Sequence, residues 1–387
     1  MSESLMTDEN GQFNFEELPL GQDYVITPQK DNEPMNGVST YDLVLMSRHI
    51  LQVDELDSPY KLIAADVNRS GGLTTNDMVQ LRKLILFIDT TFVSNTSWRF
   101  IDKDFVFPVS ADPFSLTFPE VYYADNAIED QQIEFVAIKT GDVNGSVSAN
   151  GFQGGAERSP VGALDLWIAD QELKAGEEYR IPVRSDAFSN ISGLQLSWQA
   201  DMEAMEWLGV SGSERIGMRS GNFGLRLMDQ GVITCSWHQW EKQALADEQV
   251  LFELKIRAKS NARLSEVLQL STAYTPAEAY THTDDWLQPQ LRFDDSKVQA
   301  NAFQLFQNQP NPFRETTVIA FQLPEASPTT LRIYDAAGRL IYTDRAAYQA
   351  GYHEVNIHRS DLPDRGVLYY QLETPQHLAI RKMTLLE

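Results

Sequence analysis

The twelve residues Asp66-Val67-Asn68-Arg69-Ser70-Gly71-Gly72-Leu73-Thr74-Thr75-Asn76-Asp77 constrain this chain more than any other stretch. Oxygen-bearing side chains stand at positions 1, 3 and 5, glycine at 6 and a carboxylate at 12. Alternate side chains can face a common centre only if the backbone curls, and Gly71 supplies that freedom. Calcium asks for about six to eight hard oxygens. The predicted ligands are therefore Asp66, Asn68, Ser70, Asp77 and the Gly72 carbonyl, with Thr74 acting through water.

A 35-residue step carries Asp31 to Asp66 and Asp42 to Asp77, and each copy runs into an apolar helical pattern at 43–51 and 78–86. Such recurrence marks a duplicated loop–helix unit whose helices pack together. The first copy is poorer: Asp31, Glu33, Ser39 and Asp42 fall at positions 1, 3, 9 and 12, but Met35 takes 5 and Asn36 replaces the glycine. A thioether is a poor calcium ligand. The first site is expected to bind weakly, or to be held in shape by the paired helix. A third opening, Gly141-Asp142-Val143-Asn144-Gly145, would need Gln153 at position 12. It reads as a turn, with donation to a shared or partial site as the alternative. Without the duplication, Asp66 and Thr75 would read as helix caps and 68–71 as a plain turn.

Composition agrees with a cation-binding surface. Lys plus Arg is 31 against Asp plus Glu 55, a formal charge of -24, which repels nucleic acid and anionic lipid. The single cysteine, Cys235, excludes an intramolecular disulfide and sits in an alternating strand pattern as a small buried residue. The chain has no apolar run of about 18 residues, so a transmembrane segment is not expected. Residues 1–6 have neither a basic start nor an apolar stretch of signal-peptide type. The expectation is a chain that begins inside a longer protein or at a misplaced start.

Elsewhere the period is two. Residues 12–15 and 24–26 read as short strands around a Leu-Pro-Leu-Gly turn, and resemble the closing hairpin of prealbumin-like surface repeats. Residues 98–137 read as irregular with short strands. The glycine-rich segment 150–156 is the best linker. From 163 to 293 short alternating segments recur between turns, which argues an antiparallel sandwich. Trp198, Trp207, Trp237, Trp240 and Trp286 could stack on sugar rings, but Trp198 and Trp237 read as core. His238 has no nucleophile motif beside it and reads as structural. Glu241 with Asp247, or Asp284 with Asp285, could pose as a glycosidase pair, yet in so acidic a chain they read as solvated loops.

Two duplicated loop–helix units with Asp at position 12 resemble dockerin modules over residues 31–89, extended by 141–145. The resemblance implies helices ordered by calcium (Ca2+) and docking to cohesin-like domains in polysaccharide-degrading assemblies. The segments 191–198, 231–237 and 250–254 resemble cohesin-type sandwiches, a fold shared with some carbohydrate-binding modules.

The tail carries an ordered series: Gln309-Pro310-Asn311-Pro312-Phe313, then Leu331-Arg332-Ile333-Tyr334-Asp335-Ala336-Ala337-Gly338, Asp361-Leu362-Pro363, Gly366-Val367-Leu368-Tyr369-Tyr370 and Arg381-Lys382-Met383. Locally the prolines end strands and 335–338 makes a hairpin turn. The series resembles the C-terminal sorting domain of the type IX secretion system. That implies Pro310, Asn311, Pro312, Phe313, Tyr334, Asp335, Gly338, Gly366, Tyr369, Lys382 and Met383 as the sorting motif, the type IX secretion machinery as partner, and a secreted or outer-surface location.

The resulting expectation is a multidomain, mainly β chain: a prealbumin-like tail (1–28), a small α-helical dockerin-like calcium-loop module (29–150), a linker (151–162), a cohesin-like antiparallel β-sandwich (163–295) and a C-terminal Ig-like β-sandwich (303–387). It is read as non-catalytic, with cohesin-like domains or polysaccharide as partners. The alternatives are the accessory half of a polysaccharide-degrading glycoside hydrolase and a glycan-binding adhesin.

Overall fold

The computed structural model describes residues 3–148, 159–242, 249–294, 303–362 and 366–386. The linker at 150–156, Gln153, Asp247 and Pro363 lie outside the described residues. The chain is mainly β and divides into two compact units, Met1–Arg158 and Ser159–Glu387.

In the first unit β1 (Gln22–Ile26) is followed by α1 (Thr40–Ile50), α2 (Pro59–Ala65), α3 (Thr75–Ile85), β2 (Trp98–Asp102), β3 (Tyr122–Ala127) and β4 (Phe135–Lys139). Both long helices start in the same way. Ser39 caps α1 and Thr74 caps α3, each in a reciprocal capping box with the aspartate three residues on, Asp42 and Asp77. Thr74, not Thr75, is thus the cap. Both helices also end alike: Gln52 and Phe87, 35 residues apart, adopt positive φ just past them. Leu43, Met46, Met78, Leu81 and Ile85 recur at helical spacing and meet in one core with Val38, Val67 and Val143. The anticipated hairpin of 12–15 with 24–26 does not form. Residues 12–15 lie outside any strand, and β1 pairs antiparallel with β3 instead. Burying β1's backbone polar groups needs a ladder partner, and the segment supplying it lies some hundred residues away. The stretch read as irregular holds a second ladder, β2 with β4.

The second unit opens with β5 (Gly162–Ala169), β6 (Glu172–Leu173), β7 (Glu178–Ser185), β8 (Ile191–Ala200), β9 (Met205–Gly212), β10 (Phe223–Gly224), β11 (Val232–His238) and β12 (Gln249–Ala258). It continues with β13 (Ala262–Arg263), the short α4 (Leu264–Val267), β14 (Leu268–Ser271), β15 (Glu278–Thr281) and β16 (Trp286–Asp294). The ladder runs β10-β11-β8-β15-β16-β5-β7-β12-β9, with β14 also on β8. Strands β5 and β16 pair parallel over eight positions. The sheet folds over a core in which Leu194, Leu196 and Trp198 of β8 face Phe252 and Leu254 of β12. Trp198 and Phe223 both meet the Phe252 ring edge-on, at centroid separations of 6.0 and 5.5 Å. Cys235 is buried in that core.

The unit closes with β17 (Gln304–Leu305), β18 (Thr316–Leu323), β19 (Ser327–Tyr334), β20 (Leu340–Tyr348), β21 (Gly351–His358), β22 (Gly366–Glu373) and β23 (Leu378–Leu385). They form two sheets, β17-β18-β21 and β20-β19-β22-β23, packed on Phe321, Ile333, Ile357, Tyr370, Leu372 and Met383. The predicted turn after Tyr334 is present: the Asp335 carboxylate accepts from the Ala337 and Arg339 amides at 2.8 Å each, and Gly338 takes φ 81°.

Candidate metal centre

The contiguous loop folds around its first and last carboxylates. Asp66 Oδ1 accepts from the Ser70 amide (2.8 Å), and Asp66 Oδ2 from the Gly71 amide (3.0 Å). Asp77 Oδ1 accepts from the Asn68 amide (3.0 Å), while its Oδ2 takes the Thr74 amide and hydroxyl (2.8 Å each). The Ser70 hydroxyl faces the Gly72 carbonyl (3.4 Å). Gly71 adopts φ 83°, as the predicted sharp turn requires. All six expected donors, Asp66, Asn68, Ser70, Gly72, Thr74 and Asp77, therefore belong to one curl of backbone.

The donor set tests the fit of a hard cation. Asp66 and Asp77 are buried, and Asn68 Oδ1 is a buried carbonyl oxygen with no hydrogen-bond partner. An acceptor left in that state costs about 1–3 kcal/mol, and a cation bound there would satisfy it. The residues fit calcium by oxygen type and by this orphaned acceptor.

The other site is assembled differently from the sequence expectation. Asp42 reaches the 142–147 turn: its Oδ1 accepts from the Val143 (2.8 Å) and Asn144 (3.1 Å) amides, and its Oδ2 accepts from the Ser39 amide (2.8 Å). Asp142 Oδ1 accepts from the Ser146 amide (3.0 Å) and its Oδ2 from Val147 (2.9 Å). The Ser146 hydroxyl donates to the Gly37 carbonyl (3.0 Å). All of these bonds but one have a counterpart in the contiguous loop, with Asp142 for Asp66, Asn144 for Asn68, Ser146 for Ser70, Gly37 for Gly72, Ser39 for Thr74 and Asp42 for Asp77; the exception is the Val143 amide, whose equivalent, the Val67 amide, donates to the Ala65 carbonyl (2.9 Å). Gly145 (φ 71°) even repeats the positive φ of Arg69 (56°). The first loop is thus split, its opening half supplied a hundred residues downstream. A Cβ on Gly37 would lie 2.7 Å from Val147 Cα, so glycine is what lets the halves meet.

This corrects the assignment of the first copy. Asp31 Oδ1 accepts from the Ser97 amide (2.8 Å), and the Glu33 carbonyl accepts from the Asn36 amide in a local turn. Neither carboxylate takes part in the loop hydrogen bonds. Met35 lines an apolar cavity of about 320 Å³ with Pro34, Leu84 and Phe87 rather than standing at position 5. Asn36 brackets the Ser148 backbone, donating to its carbonyl (2.8 Å) and accepting from its amide (3.2 Å). Asp142 and Asn144 do form a turn, and that turn donates its Val143 and Asn144 amides to Asp42. Asp42 stands where position 12 of that opening half would fall, and Gln153 lies outside the described residues.

Burial pushes the Asp42 carboxyl up to about 8, and the neighbouring charge of Asp142 adds to the shift. Burial raises Asp142 as well. Lys139 is the buried cation of this neighbourhood. Its ammonium donates to the Pro34 (2.8 Å) and Thr140 (3.0 Å) carbonyls; burial pushes it down to about 8, against the pull of Asp142, Asp42 and Asp31. Sequence reading passed over Lys139, which nothing distinguishes from a surface lysine.

The other candidates separate by burial. Trp198, Trp207 and Trp237 are buried, and the Trp207 and Trp237 indoles donate to the Gly231 and Ile216 carbonyls. Trp240 is exposed and Trp286 half-buried. His238 is half-buried on β11. Asp285 accepts from the Thr283 hydroxyl (2.8 Å) in a turn where Asp284 takes φ 65°. Among the described residues no helix is long and apolar enough to cross a membrane.

No family model and no curated protein matches the chain. Several solved structures are similar. A type I cohesin–dockerin complex from Clostridium thermocellum is 17% identical, with 36% of this chain and 94% of that chain covered, at a TM-score of 0.27. The seventh ScaB type I cohesin of Pseudobacteroides cellulosolvens is 14% identical over 34% of this chain and 88% of that one (TM-score 0.26). The type II cohesin dyad of the Acetivibrio cellulolyticus adaptor scaffoldin ScaA is 10% identical over 56% and 95% (TM-score 0.25). At these identities and scores the likeness carries neither partner nor activity to this chain.

Proposed function

We propose that this chain is an exported, non-catalytic modular protein whose first unit is ordered by two calcium ions and serves protein docking of dockerin–cohesin type. The observation that carries the calcium reading is the repetition of one oxygen-lined loop, in its carboxylate and hydroxyl hydrogen bonds save that of the Val143 amide, by a second built from two distant segments. Coincidental turns have no reason to reproduce each other across such a break. Asp66, Asn68, Ser70, the Gly72 carbonyl, Thr74 and Asp77 would hold one ion. Asp142, Asn144, Ser146, the Gly37 carbonyl, Ser39 and Asp42 would hold the other. Calcium in place supplies positive charge to the paired buried carboxylates, beyond what Lys139 contributes beside Asp42 and Asp142.

Isothermal titration of the full chain should count two ions. Asp66→Ala should lose one and Asp142→Ala the other, whereas Asp31→Ala and Glu33→Ala should keep both. A wild-type count of zero would end the calcium reading, and a count unmoved by Asp142→Ala would end the split site.

For the tail, the reading is a type IX sorting domain. Its support is the ordered motif and its placement: Pro310 to Phe313 enter the β-sandwich, Gly366 opens β22 with φ 96°, and Tyr369 and Lys382 stand exposed as register partners on β22 and β23. Deleting 303–387 in the host should keep the protein from the medium and cell surface. Undiminished export of the truncated chain would refute the assignment.

A further inference from the structure

The outer face of a sandwich sheet is ordinarily polar and wet. On β7, β12 and the turn after β9 that face is polar but dry: Arg184, Ser213, Arg215 and Glu253 are all buried. Buried charges persist where they are paired and hydrogen-bonded; within the sheet Arg180 lies 3.7 Å from Glu253, and the remaining hydrogen-bond partners come from the C-terminal sandwich. Glu253 Oε1 accepts from the Tyr352 amide (2.9 Å). The Ser213 hydroxyl (2.7 Å) and Glu214 amide (3.0 Å) donate to the Glu354 carboxylate. Arg215 donates through Nη2 to the Gln307 carbonyl (2.8 Å) and through Nε to Gln309 Oε1 (3.1 Å).

An apolar centre completes the contact: Val250 packs with Ala320, Tyr352 and Phe306. Ala320 is fully buried although it alternates with Ile319 and Phe321, which fill the C-terminal sandwich's own core. A buried apolar centre ringed by matched hydrogen bonds is the anatomy of a specific protein interface.

We infer that the C-terminal sandwich is a non-covalent partner of the outer face of β7, β12 and the β9 turn, and remains bound there when the connecting chain is cut. Its surface on the partner draws on 180–184, 213–215 and 250–253, which come together only in the folded sandwich. The C-terminal domain therefore recognises the folded state of the domain before it. The inference rests on neither the calcium nor the sorting assignment.

The test inserts a protease site between 295 and 302 of the full chain, cuts after folding, and follows both fragments by size exclusion at micromolar concentration. Wild-type fragments should co-elute. Arg215→Ala combined with Tyr352→Ala should release them, with an unchanged far-ultraviolet circular dichroism spectrum before cutting. Separation of the wild-type fragments overturns the inference without reference to any variant. Co-elution of well-folded double-variant fragments overturns the assigned surface.

Discussion

Chelation with EGTA is expected to lower the melting temperature of the first unit by roughly 10–20 °C relative to saturating calcium. An ion that binds only the folded state contributes about 2.7 kcal/mol at about 100 times its Kd, so two sites contribute roughly 5 kcal/mol. In a unit of this size each kcal/mol moves the melting temperature by about 2–4 °C. The readout is the calcium-dependent shift by scanning calorimetry, because Asp66→Ala or Asp142→Ala also removes amide acceptors and destabilises the metal-free chain. Asn68→Ala avoids that complication. Its Oδ1 accepts no hydrogen bond, so the substitution loses no acceptor the metal-free fold uses: melting in EGTA should not fall, and should rise as the orphaned oxygen is removed, while the calcium-dependent shift is cut by about half. An Asn68→Ala protein with a full calcium shift would show that the orphaned oxygen is not a ligand. Equal melting of the wild type with and without the ion would remove the basis for both sites.

Much of this site was legible in the sequence, and the part that was not shows where linear reading stops. The loop from Asp66 to Asp77 could be placed because its donors are consecutive and Gly71 marks the curl. The first copy misled because spacing assigns ligands by counting backwards from Asp42, and counting lands on Asp31 and Glu33. The chain instead turns away at Asn36, and Gly37 admits a different strand of backbone. A usable signal was present: 141–147 is an opening half with no carboxylate at position 12, and 36–42 is a closing half preceded by a thioether, Met35, at position 5. Two defective copies with complementary defects are the mark of one divided site. Lys139 carried no such signal, because burial of a lysine follows from tertiary packing alone.

The sandwiches were legible through alternation, which places Leu194, Leu196 and Trp198 on one face whatever the pairing. Alternation does not say which strands are neighbours, so the parallel β5–β16 ladder was beyond reach. Strand β23 carries apolar residues on both faces: Leu378 and Ile380 are exposed while Met383 and Leu385 are buried. The motif residues Lys382 and Met383 therefore divide between the surface and the core.

Phe313→Ala is expected to destabilise the C-terminal sandwich by about 3–5 kcal/mol, the usual cost of emptying a buried aromatic site. The ring is buried among Leu305, Leu362, Met383 and their neighbours. Its backbone locks the tail, the Phe313 amide donating to the Thr384 carbonyl (3.0 Å) and the Leu386 amide to the Phe313 carbonyl (2.8 Å). Asn311 Oδ1 accepts from the Thr384 amide (2.8 Å) as well. The entrance segment and the last strand therefore hold each other, and loss of the ring should loosen both. Tyr369→Ala is the matched control: it removes an aromatic ring from the same motif but from an exposed position, and should change stability by no more than about 0.5 kcal/mol. Urea denaturation of the two variants separates the roles. A large loss for Phe313→Ala beside none for Tyr369→Ala would mean that the Asn-Pro-Phe entrance closes the fold, whereas Tyr369 and its register partner Lys382 stand on the surface and do not hold it together. Equal, small effects would mean that Phe313 does not close the domain, and the packing argument for this motif would fall.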